Sequence, residues 1–182
     1  MRGPKSCTFL TVLGTVYSFR VAGTCAGAVL EGGDTQVALV TRTITLIGGY
    51  TQTNWTDSLP ITQPTTLDAL GGGRVLSISV ATSVANLVIK NGRATSDGGG
   101  IYASRALTLT GASILRNTVQ RKITDNCLLD SGRGGGVWFG ADALVVGATF
   151  AENAARRNCS TLYPDGKGEI LVWQPERSKQ LA

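Results

Sequence analysis

"GGGIYASRALTLTGASILRN" (98–117) and "GGGVWFGADALVVGATFAEN" (134–153) are two versions of one phrase, each opening on three glycines and closing on asparagine. Aligned, they put Gly98 with Gly134, Ile101 with Val137, Ile114 with Phe150 and Asn117 with Asn153. A shorter echo precedes them: "VIKN" (88–91) matches "ILRN" (114–117) and "FAEN" (150–153), an apolar residue followed three later by Asn. The interval is 26 residues from Asn91 to Asn117 and 36 from Asn117 to Asn153. Repeats in this range mark solenoids, propellers or arrays. The longer interval carries extra polar text, "VQRKITDNCLLDSGR", which reads as a loop bulging from one repeat.

Each repeat contains strands of only a few residues, punctuated by glycine, which suits a coil of β-helix better than a propeller blade. "QVALV" (36–40), "RTITLIGGY" (42–50), "RVLSISV" (74–80) and "VANLVIKNG" (84–92) extend the same strand-like text toward the amino terminus. The polar stretch 51–73, with two prolines, reads as a loop that returns through Thr66 to Asp68. No amphipathic helical period survives after position 36. The expectation is an all-β solenoid of roughly five to six coils. In stacked coils equivalent residues lie above one another, about 4.8 Å apart, so like residues form columns. Ile101, Val137, Ile114 and Phe150 then point inward. Asn91, Asn117 and Asn153 form an amide ladder at a corner where Asn tolerates left-handed backbone angles, and the glycine triplets supply positive φ at another corner.

Composition agrees with this reading and narrows function. The chain has 182 residues, 24 of them glycine and five proline, with 16% charged; that describes one turn-rich β domain. It has no histidine, which removes the usual general base, the Ser-His and Cys-His nucleophile pairs and every His-dependent metal site. The net charge of +5 comes from scattered Lys and Arg, an arrangement that argues against nucleic acid as a partner. Residues 1–34 are either a leader or an irregular N-terminal segment: Arg2 and Lys5 precede an apolar stretch from Cys7 to Phe19, which Arg20 interrupts. Residues 35–173 are the β domain and 174–182 a tail. No uncharged apolar run reaches the length of a transmembrane helix. Asn54 and Asn158 stand in formal glycan-acceptor triplets, NWT and NCS, read here as chance.

The phrases "GGGI…ILRN" and "GGGV…FAEN" resemble the GGA[ILV] and FxxN repeats of polymorphic outer-membrane proteins, and more broadly the right-handed parallel β-helix repeats of bacterial secreted and surface proteins, a group that includes the pectate-lyase-like enzymes. "TQVALVTRTITLIGGYTQTNW…PTTLDALGGGRVL" resembles the amino-terminal coils of the same group. The likeness covers roughly residues 35–155. It implies a right-handed parallel β-helix and a secreted or cell-surface location. Function is another matter, because such folds host lyases, hydrolases, adhesins and passive stalks. The third residue of each triplet is Gly where the polymorphic proteins usually have Ala.

Several residues invite chemistry. Asp97 and Asp130 each stand shortly before a glycine triplet and Asp142 follows the second, so they are candidates for a carboxylate or calcium site; Asp beside Gly is also ordinary turn chemistry. Adjacent Asp-Asp does not occur, so hydrolysis by two placed acids has thin support. Tyr102 and Trp138 follow the inward Ile101 and Val137, which turns them outward as a stacked pair, a surface for sugar rings or packing beneath a loop. Arg121, Lys122, Arg156 and Arg157 fall on loops of one rim and concentrate positive charge. Cys127 and Cys159 follow Asn on these loops, either bridging neighbouring coils in an exported protein or stacked as free thiols. No cofactor, metal or catalytic residue is assigned. The expected function is a non-enzymatic secreted or surface protein for adhesion, glycan contact or scaffolding, with a polysaccharide or cell-envelope surface as partner. The alternative is a polysaccharide lyase or glycoside hydrolase relative, either active or degenerate. No polar cap is legible after about residue 160, so self-association through coil ends is expected.

Overall fold

The computed structural model describes residues 6–12, 17–122 and 132–158. They form eighteen strands and no helix. The first six are β1 (Ser6–Val12), β2 (Tyr17–Ala26), β3 (Val29–Glu31), β4 (Asp34–Val40), β5 (Ile44–Tyr50) and β6 (Thr65–Asp68). Three sets of four follow: β7 (Arg74–Ile78), β8 (Thr82–Ala85), β9 (Leu87–Lys90) and β10 (Arg93–Ala94); β11 (Ile101–Ala103), β12 (Leu107–Thr110), β13 (Ser113–Leu115) and β14 (Thr118–Lys122); β15 (Val137–Phe139), β16 (Ala143–Val146), β17 (Thr149–Ala151) and β18 (Ala154–Asn158).

Each strand pairs in parallel with its counterpart in the next set, not with its neighbour in sequence. The five-stranded sheet runs β15-β11-β7-β4-β3, the three-stranded sheet β10-β14-β18 and the ten-stranded sheet β16-β12-β8-β5-β2-β6-β9-β13-β17, with β1 on β2. Parallel neighbours need a long crossover, usually a helix. Here the strands of the other sheets serve as the crossover, so no helix is required. Two limbs of the large sheet meet at β2, whose first part pairs with β5 and whose last residues, Thr24 to Ala26, pair with β6. The exceptions to parallel pairing are β1 on β2 and β3 on β4, both antiparallel. They lie on the amino-terminal side of the stack. The segment that the sequence set apart as a leader or irregular stretch thus contributes β2 to the middle of the large sheet, with Val21 fully buried.

Register makes the core. Leu76, Ile101 and Val137 are successive partners, as are Leu46, Val84, Leu109 and Val145 and Ile89, Ile114 and Phe150. Alternation along each strand sends these side chains inward and their neighbours outward. Nearly all are buried in one cluster, each contributing about 1.5 to 3 kcal/mol. The expected inward set is therefore in place, with Phe150 only partly buried. The glycine triplets have two separate causes. Gly98 and Gly134 have φ of +72° and +66°, which costs glycine nothing. Behind them the layers run so close that a Cβ on Gly99 would sit 2.5 Å from the carbonyl oxygens of Gly135 and Thr118.

At the last set the interior opens. Val145 occupies the same inward column as fully buried Leu109, yet is 41% exposed, and its neighbours Leu144 and Val146 are more so. Within the described residues nothing pairs with the outer edge of β16. Leu109→Ala should therefore cost about 2 to 5 kcal/mol, whereas Val145→Ala should cost under about 1 kcal/mol; urea unfolding followed by circular dichroism measures both.

Candidate functional site

Asparagine is the residue around which one corner is built. Asn117 is completely buried. Its Oδ1 accepts from Gly92 N at 2.8 Å, and its Nδ2 donates to Ile89 O at 3.0 Å and to Asn153 Oδ1 at 3.1 Å. Asn117 N also donates to Asn153 Oδ1, at 3.0 Å, and Asn153 Nδ2 donates to Ile114 O at 2.7 Å. Two of the three expected ladder residues are therefore joined. Asn91 is not in their column. Ile89 pairs with Ile114 and Lys90 with Leu115, so the residue level with Asn117 is Gly92, and Asn91 is level with Arg116. The phrase "VIKN" is displaced by one position because its inward residue is Ile89, not Val88. Asn91 has the expected left-handed backbone, with φ of +55°, but in the next two layers it falls one residue before the Asn, on Arg116 (+53°) and Glu152 (+55°). Asn91 Nδ2 instead donates to Asp68 Oδ1 at 2.9 Å.

Tyr102 and Trp138 are register partners, with ring centroids 4.7 Å apart and planes 9° from parallel. The stacked pair is as expected, but its faces are occupied. Each ring covers one face of the other, the Arg74 guanidinium lies 5.1 Å over Tyr102 and that of Arg133 5.7 Å over Trp138. A Cβ on Gly140 would come within 2.8 Å of the Trp138 ring. Aromatic stacking and cation–π attraction here hold layers together, and the geometry favours packing over a platform for sugar rings.

The two arginines tie the pair to the glycine turn. Arg74 is buried; Nε donates to Gly98 O at 2.9 Å, and the terminal nitrogens reach Asp97 O, Ser96 Oγ and Asp34 Oδ2. Arg133 N donates to Asp97 Oδ1 at 2.7 Å and its guanidinium to Oδ2 at 3.1 Å. Both oxygens of Asp97 thus accept from the residue at the equivalent position of the next layer. Sequence reading found Asp97 but missed Arg74 and Arg133, since nothing local distinguishes a buried arginine from a solvated one. Asp142 is exposed. Among the described residues, no three of His, Cys, Asp and Glu gather.

Of the expected basic rim, the backbone places Gln120 opposite Arg156, Arg121 opposite Arg157 and Lys122 opposite Asn158 on β14 and β18. These basic residues therefore continue paired strands, where loops were expected. Cys127, Cys159 and Asp130 lie outside the described residues. Cys25, to which the sequence attached no weight, is buried and disulfide-bonded. Comparison with protein-family models, with curated proteins and with solved structures gives no match for this chain.

Asn117→Ala would leave Gly92 N–H and Ile89 C=O buried without their amide partner, at about 1 to 3 kcal/mol each. Asn91→Gly loses one half-exposed bond without straining the left-handed backbone and should cost distinctly less. Denaturant midpoints of the two variants report this difference; equal losses would restore the in-line ladder.

Proposed function

We propose that the chain is a right-handed parallel β-helix that acts outside the cytoplasm as a non-enzymatic scaffold making glycan contacts. The stacked sets of four strands support the architecture, and crossovers between parallel strands of one sheet are right-handed in about 98% of cases. The resemblance of the GGG[IV] and FxxN-like phrases to polymorphic outer-membrane repeats points the same way. A disulfide at Cys25 suits an oxidising compartment.

The observation that carries the functional reading is the engagement of Asp97. General acid or base work needs a carboxylate within reach of substrate. Asp97 instead has both oxygens on Arg133. Asp68 is likewise held, by Lys90 at 3.5 Å, Leu70 N and Asn91. Of the candidate acids, Asp97 braces a turn between layers, and no histidine exists to replace it.

A panel of neutral and acidic polysaccharides, read for binding and for product release, tests this. Binding without turnover is expected; unsaturated or shortened sugar products would overturn the reading. Trp138→Ala should bind the panel as the parent does while unfolding at lower denaturant, because the aromatic pair is committed to packing.

A further inference from the structure

On the outer side of the three-stranded sheet, Asn91, Arg93, Arg116, Thr118 and Gln120 line an open groove of about 420 Å³. We infer that this groove binds acidic polysaccharide, its two guanidinium groups taking carboxylate or sulfate and its amides and hydroxyl taking sugar hydroxyls. The inference rests on the glycan-contact reading above and names its ligand class.

Four observations converge on it. First, among the described residues no carboxylate lines the groove. Arg93 is exposed and donates to Gln120 Oε1 at 2.8 Å, a neutral acceptor. Arg116 approaches Glu152 at 3.5 Å, but both side chains are more than 60% exposed, so the pair is weak and readily exchanged. Asp68, the other acid at this corner, is held by Lys90 and Asn91. Second, the arginines are positioned by the fold. Arg116 stands at the left-handed corner that recurs in successive layers, with φ +53° between the +55° of Asn91 and of Glu152, so its backbone is fixed by the stack. The adjacent Asn117 accepts from Gly92 N, which binds the Arg116 corner to the strand bearing Arg93. Third, backbone register sets Arg156 level with Gln120 on the adjoining strand. Planar guanidinium forks match carboxylate and sulfate geometry in a way that a point charge does not.

Fourth, the described lining residues include no aromatic. Single-stranded nucleic acid is held by bases stacking on aromatic side chains, so this groove offers a nucleic acid only its phosphate attraction. An open shape also fits a polymer lying across it better than an enclosed small molecule.

The test uses the full chain against immobilised heparin, polygalacturonate, neutral dextran and poly(dT). Three proteins are compared: the parent, the double variant Arg93→Ser/Arg116→Asn, and Gln120→Glu. Asn is chosen at 116 because it tolerates the left-handed backbone. Gln120→Glu keeps the shape of the groove but sets a carboxylate against Arg93. The parent should bind heparin or polygalacturonate more tightly than dextran and poly(dT), and lose affinity as salt rises from about 50 to about 200 mM. Both variants should bind the acidic polymer about tenfold more weakly, with thermal unfolding of Gln120→Glu close to the parent's. Unchanged affinity in Gln120→Glu would overturn the groove assignment and leave glycan contact standing. Equal binding of dextran would overturn the selection for acid, and equal binding of poly(dT) the choice of polysaccharide. No binding to any polymer would overturn this inference and the glycan-contact reading together.

Discussion

One buried amide sets the terms for the corner at which most of this protein's distinctive residues meet. Asn117 joins three layers at once, reaching Ile89 and Gly92 on one side and Asn153 on the other. A carboxamide can do this because it carries a donor and an acceptor in one rigid plane. Its cost is that any loss strands several backbone groups away from water. The position therefore demands Asn where bonds are needed on both sides. Gly92 shows the other solution in the same column, offering its own N–H to the amide next to it.

The same logic of layers operates at the glycine turn. Between successive sets the backbones approach closely enough that Gly99 and Gly100 have almost no room for a Cβ. Close approach brings Arg74 and Arg133 onto the aromatic pair and, through Asp97, onto the turn itself. Charged residues that a surface survey would count as free are thus absorbed into the scaffold. Arg93 and Arg116 are different, since their partners are a neutral amide and an exposed, exchangeable carboxylate. That contrast separates structural arginine from arginine available to a ligand.

The two ends of the stack are also unequal. On the amino-terminal side, β1 and β3 pair antiparallel with β2 and β4, so the parallel pattern stops there. At the other, within the described residues, the inward column ends on half-exposed Val145. Core columns of this kind are stabilised by what lies above and below each residue, and the same side chain contributes less at the last layer than in the middle.

The sequence by itself determined that the chain is all-β, that the phrases at 98–117 and 134–153 are layers of one pattern, and which apolar residues face inward. It could do so because strand alternation and in-register stacking act on every residue alike and leave a period in the text. It did not determine the alignment of the shorter "VIKN", since Asn91 and Asn117 look equivalent until backbone register is known. Nor could it show that β2 lies in the middle of the large sheet, because its partners Ile44 to Tyr50 and Thr66 to Asp68 are remote in the chain. Only the tertiary structure decided which arginines are spent on packing and which remain at a surface. That distinction depends on how close two layers come, and distance between layers is not written in any local pattern of residues.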